Sequence, residues 1–110
     1  MPAKAMLLYV TAPDPDCARS LARAAVEARL AACANILPGM VSLYHWEGRV
    51  EEASEVVLIL KTRPELADAL QALLLDQHPY QLACVLRLAV DGGNPAFLDW
   101  IGQETADHPR

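Results

Sequence analysis

The chain has 110 residues, enough for one domain (residues 1–110) with a sizeable core and little to spare for a second. Nine basic residues against fourteen acidic ones give a formal net charge of −5 with no basic stripe, which argues against a nucleic-acid partner. No run approaches the roughly eighteen apolar residues of a membrane span, and the three cysteines, Cys17, Cys33 and Cys84, lack CxxC spacing.

Free thiols suit a reducing compartment, so a cytoplasmic location is expected. The opening "MPAKAMLLYVTAPD" has too short an apolar run for a secretory signal. Within it, residues 5–12 read as a buried strand that stops at a Pro-Asp pair. A helix follows. Asp14 is placed to cap it, Pro15 to take its first position and Asp16 to meet the free N–H groups of its first turn. Leu21, Ala25 and Ala28, with Arg29 beside them, fall on adjoining rows, and Arg23 and Glu27 are spaced to pair.

From residue 33, "CANILPGMVSLYHW" returns to strand, with Pro38-Gly39 marking a bulge rather than an end. "EGR" at 47–49 is the turn, and "VEEASEVVLILKT" runs back as the second arm of a long hairpin. Val56 to Leu60 is continuously apolar and belongs in mid-sheet. The second helix spans 63–78, with Leu66, Ala69, Leu70, Leu73 and Leu74 as its apolar stripe. A fourth strand is expected over 81–90. Asn94 and Pro95 then open a last helix that uses Phe97, Leu98, Trp100 and Ile101 as contacts. The closing residues 107–110 are expected to fray.

The order β-α-β-β-α-β plus a terminal helix defines an α+β, ferredoxin-like arrangement, with two helices on one face of a four-stranded antiparallel sheet. The alternating residues of strands three and four are apolar on both faces, and the helices can shield only one of them. A hairpin arm of about twelve residues reaches about 40 Å, whereas a helix of about fifteen covers about 22 Å. The arm outruns its own helices. Other subunits must shield what it carries, so a closed homo-oligomer is expected.

The segments "TAPD" at 11–14, "RLAACANILPGMVSLYHWEGRVEE" at 29–52, "LILKT" at 58–62, "HPY" at 78–80 and "FLDWI" at 97–101 resemble the CutA family of divalent-cation tolerance proteins. The resemblance runs in order along nearly the whole chain. It implies a ferredoxin-like homotrimer with hairpins packed about a three-fold axis. It also implies a cytosolic role in tolerance of divalent metals, copper first and zinc second, with no ion tightly bound and no established enzymatic reaction. Independently, no nucleophile turn, phosphate loop or HExxH is present, so no enzyme is expected.

The metal candidates are His78 and Cys84, because an imidazole and a thiolate together favour Cu(I) or Zn(II). Six residues of fully extended strand would hold them about 20 Å apart, so a turn or a second subunit is needed to join them. The family pattern His-x-Tyr-x-x-Pro-Glu has Ala83 and Cys84 at its Pro-Glu positions here, and Val10 stands where some members carry a cysteine. Lys61 ends an apolar strand and needs a partner for its charge. An inter-subunit ion pair is one answer. The other is a small anion in a cleft shared with Tyr80, Trp46 and Glu47. Cys33 reads as packed, and Cys17 lies in a helix's first turn, where the positive end favours thiolate.

Overall fold

The computed structural model describes residues 3–106; the expected fraying of residues 107–110 lies outside them. Strand β1 (Ala5–Ala12) runs into helix α1 (Pro15–Glu27), then β2 (Cys33–Trp46) and β3 (Arg49–Thr62) form the hairpin. A 3₁₀ turn (Pro64–Leu66) leads into α2 (Ala67–Gln77), followed by β4 (Val85–Val90) and α3 (Pro95–Gln103). The sheet order is β2-β3-β1-β4 with every neighbouring pair antiparallel. This is the ferredoxin-like arrangement expected from the element order.

Local chemistry explains the boundaries. Asp14 Oδ1 accepts the Cys17 N–H at 2.7 Å and caps α1, with Pro15 directly after it. The helix stops sooner than its apolar rows suggest: Ala28 is the C-cap, and Arg29 takes φ 62° in the left-handed region. That turn aims the Arg29 guanidinium at the Glu104 carbonyl and carboxylate, while Ala106 N–H donates to Arg29 O at 2.9 Å. Asn94 caps α3 by accepting from Ala96 N–H.

The core lies between the sheet and helices α1 and α2. Leu8 and Val10 of β1 and Leu58 and Leu60 of β3 meet Leu21 and Ala25 of α1 and Leu70 and Leu74 of α2. All but Leu21, which is 2% exposed, are entirely buried. On β4 the helix-facing set includes Arg87, whose Nη1 reaches Asp68 Oδ1 at 2.6 Å and Gln71 Oε1 at 3.3 Å. The stripe of α2 is turned slightly from the expected one. Leu66, Ala67, Leu70 and Leu74 are buried, while Ala69 and Leu73 are half-buried.

The β2–β3 register shows the bulge. Leu37 pairs with Val57 and Met40 with Glu55, so Pro38 and Gly39 face a single residue, and Gly39 takes φ 87°. At the tip, Glu47 (φ 49°) and Gly48 (φ 79°) close a two-residue loop between the paired Trp46 and Arg49. The long axis of the molecule is 44 Å.

Two expectations need correction. The fourth strand begins at Val85, not 81, because the ladder with β1 ends there for a reason given below. Of the expected contacts of α3, Ile101 is buried and Leu98 half-buried, whereas Phe97 and Trp100 stack on each other at 5.4 Å and stay exposed. Leu86, 59% exposed, and Leu88 lie bare on the sheet face away from α1 and α2. On the hairpin Val41, Leu43 (68% exposed) and Val50 are equally uncovered.

Leu58→Ala should lower unfolding free energy by about 3 kcal/mol through the cavity it leaves, and Asp14→Ala by about 1 kcal/mol through the lost cap. Urea unfolding at one fixed protein concentration measures both. Equal midpoints for Leu58→Ala and the parent would contradict the packing described.

Candidate functional site

A groove of about 810 Å³ opens on the uncovered face of the sheet, between the outer arm of the hairpin and the segment following α2. Tyr9 supplies part of the floor, Tyr44 and Trp46 come from β2, Glu55 from β3, and Tyr80 and Cys84 from residues 79–84. Tyr9 Oη donates to Met40 Sδ at 3.6 Å across the floor. Tyr80 Oη donates to Glu55 Oε2 at 3.3 Å and ties one wall to the other. Burial, then the neighbouring Glu55 carboxylate, pushes the Tyr80 phenol up, so it remains a proton donor at neutral pH.

His78 is beneath this wall and 8% exposed. Its Nε2 lies 2.7 Å from the carbonyl oxygen of Thr11, and its Nδ1 lies 3.1 Å from the Tyr80 N–H that donates to it. A carbonyl can only accept, so Nε2 carries the proton and Nδ1 keeps its lone pair for Tyr80. The next rung of the β1–β4 ladder would pair Thr11 with Cys84. Thr11 N–H still donates to Cys84 O at 3.4 Å. The Thr11 carbonyl, however, is taken by the imidazole, and the strand starts one residue later. His78 and Cys84 therefore flank one residue of β1, brought together by a turn rather than held about 20 Å apart along a strand.

The other candidates separate. Trp46, Tyr80 and Cys84 line the groove, and Glu47 sits at the hairpin turn outside its lining. Lys61 is at the far end of β3, six residues from Glu55, which is about 20 Å of strand. Its Nζ donates to Asn35 Oδ1 at 2.8 Å and stands 5.6 Å from the Phe97 ring centroid, so its charge finds partners within the chain. Within one chain, Lys61 does not share a cleft with Tyr80 and Trp46.

Sequence reasoning missed Tyr9, Met40 and Glu55 as groove residues. The strand parity that puts Tyr9 and Glu55 on the uncovered face was available, but the side chains that cross from strand to strand were not. Cys17 is also corrected. Burial, followed by the negative charge of Asp14, pushes its thiol up, and these effects oppose the helix end. Cys33 is raised by burial, with Lys61 pulling the other way.

An antiparallel four-stranded sheet with an overlong hairpin and an aromatic groove along the hairpin's outer arm defines a particular class of ferredoxin-like protein. The family model described as CutA1 divalent ion tolerance protein matches residues 6–104, and the chain belongs to that family. Protein CutA of Mus musculus is 43% identical over 105 residues, covering 96% of this chain and 59% of the mouse protein. The divalent-cation tolerance protein CutA of Pectobacterium atrosepticum is 44% identical over 97 residues, 88% of each chain. Among solved structures, CutA from Xylella fastidiosa superposes with a TM-score of 0.91 at 36% identity, over 94% of this chain and 100% of that one. CutA1 from Oryza sativa gives 0.90 at 39% identity over 94% of each. This chain thus spans less than two thirds of the mouse protein's length.

Iodoacetamide should label Cys17 more slowly than free cysteine at neutral pH, with the rate climbing as alkaline pH releases the thiolate. Asp14→Asn keeps a capping side chain and removes the negative charge, so its Cys17 should label faster. Mass spectrometry of the Cys17 peptide reads the rates, and labelling of Cys17 faster than free cysteine would refute the assignment.

Proposed function

We propose that this chain works as a homotrimer in tolerance of divalent cations, taking copper first and zinc second as cargo held loosely at the groove. The observation that carries this reading is the charge of the lining. Glu55 is its acidic group, and among the described residues no lysine or arginine lines it. The thiol of Cys84 and the phenol of Tyr80 stand in the same groove. A carboxylate with a soft sulfur donor nearby favours a cation over an anion. The alternative of a small anion loses its main support, since Lys61 is committed to Asn35 and lies elsewhere.

Among the described residues no three His, Cys, Asp or Glu side chains converge on a point that could hold an ion. One chain therefore does not build a complete coordination shell from these side chains, and water or donors from a second copy would complete it. The trimer meets that need and shields the bare apolar residues of the hairpin and sheet. Leu43 and Val50 project from one face of the hairpin, Tyr44 and Trp46 from the other, and Leu86 and Leu88 from the open sheet face.

Light scattering should report three times the 12.0 kDa chain mass. Leu43→Glu should move the population toward smaller species by placing a charge on the proposed interface. A monomeric parent would end the trimer reading. In calorimetric titrations with Cu(II) and Zn(II), Cys84→Ser should weaken binding about tenfold through the loss of a soft donor; unchanged affinity would remove Cys84 from the site.

A further inference from the structure

His78 invites assignment as a metal ligand, yet its geometry commits it otherwise. An imidazole binds a metal through a nitrogen lone pair. Here Nε2 spends its proton on the Thr11 carbonyl at 2.7 Å, and Nδ1 spends its lone pair on the Tyr80 N–H at 3.1 Å. The ring is buried and packs against the Tyr80 ring with centroids 4.9 Å apart. A metal on Nδ1 would displace the Tyr80 amide. One on Nε2 would strip the proton from the bond to Thr11 and leave that carbonyl without it.

We infer that His78 is a positioning residue of the groove and contributes no donor to a bound cation. Its neutral imidazole stands in for a ladder rung, stops β4 at Val85, and turns residues 79–84 so that Tyr80 and Cys84 face Glu55 across the groove. The inference rests on the proposed cation site but assigns a different job to one of its neighbours. Cys84, Tyr80 and Glu55 then remain as this chain's own candidate contacts for the ion.

The test uses the full-length protein and two variants, His78→Ala and His78→Gln. Long-range proton–nitrogen couplings at neutral pH should show the Nε2–H tautomer in the parent, and an Nδ1–H tautomer would overturn the inference. In His78→Ala, exchange of the Tyr80 amide should quicken by about tenfold, while the Leu8 and Leu58 amides of the core keep their protection. His78→Gln retains an amide donor for Thr11 and should recover much of that protection.

Titration of the parent and both variants with Zn(II), and of the parent and His78→Gln with Cu(II), completes the comparison. A glutamine amide is a poor replacement for a ligating imidazole, so a true ligand would make His78→Gln as defective as His78→Ala. Zn(II) affinity of His78→Gln within about threefold of the parent supports positioning. A loss equal to that of His78→Ala, with Tyr80 exchange still slow, shows ligation and overturns it. If neither the parent nor His78→Gln binds Zn(II) or Cu(II), the cation reading fails. The tautomer and the parent's Tyr80 exchange still decide the role of His78. Should His78→Ala not fold, the parent and His78→Gln decide it by the same measurements.

Discussion

One hydrogen bond, from the imidazole of His78 to the carbonyl of Thr11, lies at the point where the β1–β4 ladder gives way to the wall of the groove. Antiparallel ladders extend as long as each carbonyl finds a backbone N–H opposite. At Thr11 a side chain arrives first. The β1–β4 ladder then halts, and the chain between α2 and β4 is free to bend over the sheet. The same ring accepts the Tyr80 amide, so the bend itself has a fixed shape. The groove, the Tyr80–Glu55 contact and the place of Cys84 all follow from the chain's path there.

Stability and exposure pull in opposite directions elsewhere. The helix-covered face closes around Leu8, Val10, Leu58 and Leu60 with almost no exposed area. The opposite face and the outer hairpin hold apolar side chains that no element of the chain covers. Such surface is costly to leave in water. In the proposed assembly, neighbouring subunits would shield it.

Much of this architecture was legible from residue patterns. Asp14 with Pro15, the Pro38-Gly39 interruption and Gly48 at the turn each act through local backbone chemistry, and each appears where a local rule puts it. The apolar alternation of β3 and β4 correctly announced two greasy faces. What failed depended on contacts distant in sequence. The start of β4 is decided by a histidine meeting a residue 67 positions away. Arg29 leaves its helix to hold Glu104, and Lys61 finds Asn35 across the hairpin. Trp46 and Tyr80, expected to share a cleft with Lys61 and Glu47, and Cys84, expected beside His78, all line the groove, whereas Lys61 and Glu47 do not. The pairing of Tyr9 with Met40 depends on two side chains reaching across a strand between them.

The extra residue at Pro38-Gly39 has a further effect on that arrangement. Before it, Asn35 and Leu37 occupy the uncovered side; beyond it, Met40, Ser42, Tyr44 and Trp46 do. The alternation has changed from odd to even numbers. The bulge thus works as a phase shifter for the outer arm, handing the aromatic rings to the groove and leaving Val41 and Leu43 on the reverse. A strand of the same length that ran straight on in the register of the Leu37–Val57 pair would set Val41 opposite Ala53 and Leu43 opposite Glu51, presenting valine and leucine on the side where the tyrosine and tryptophan now stand.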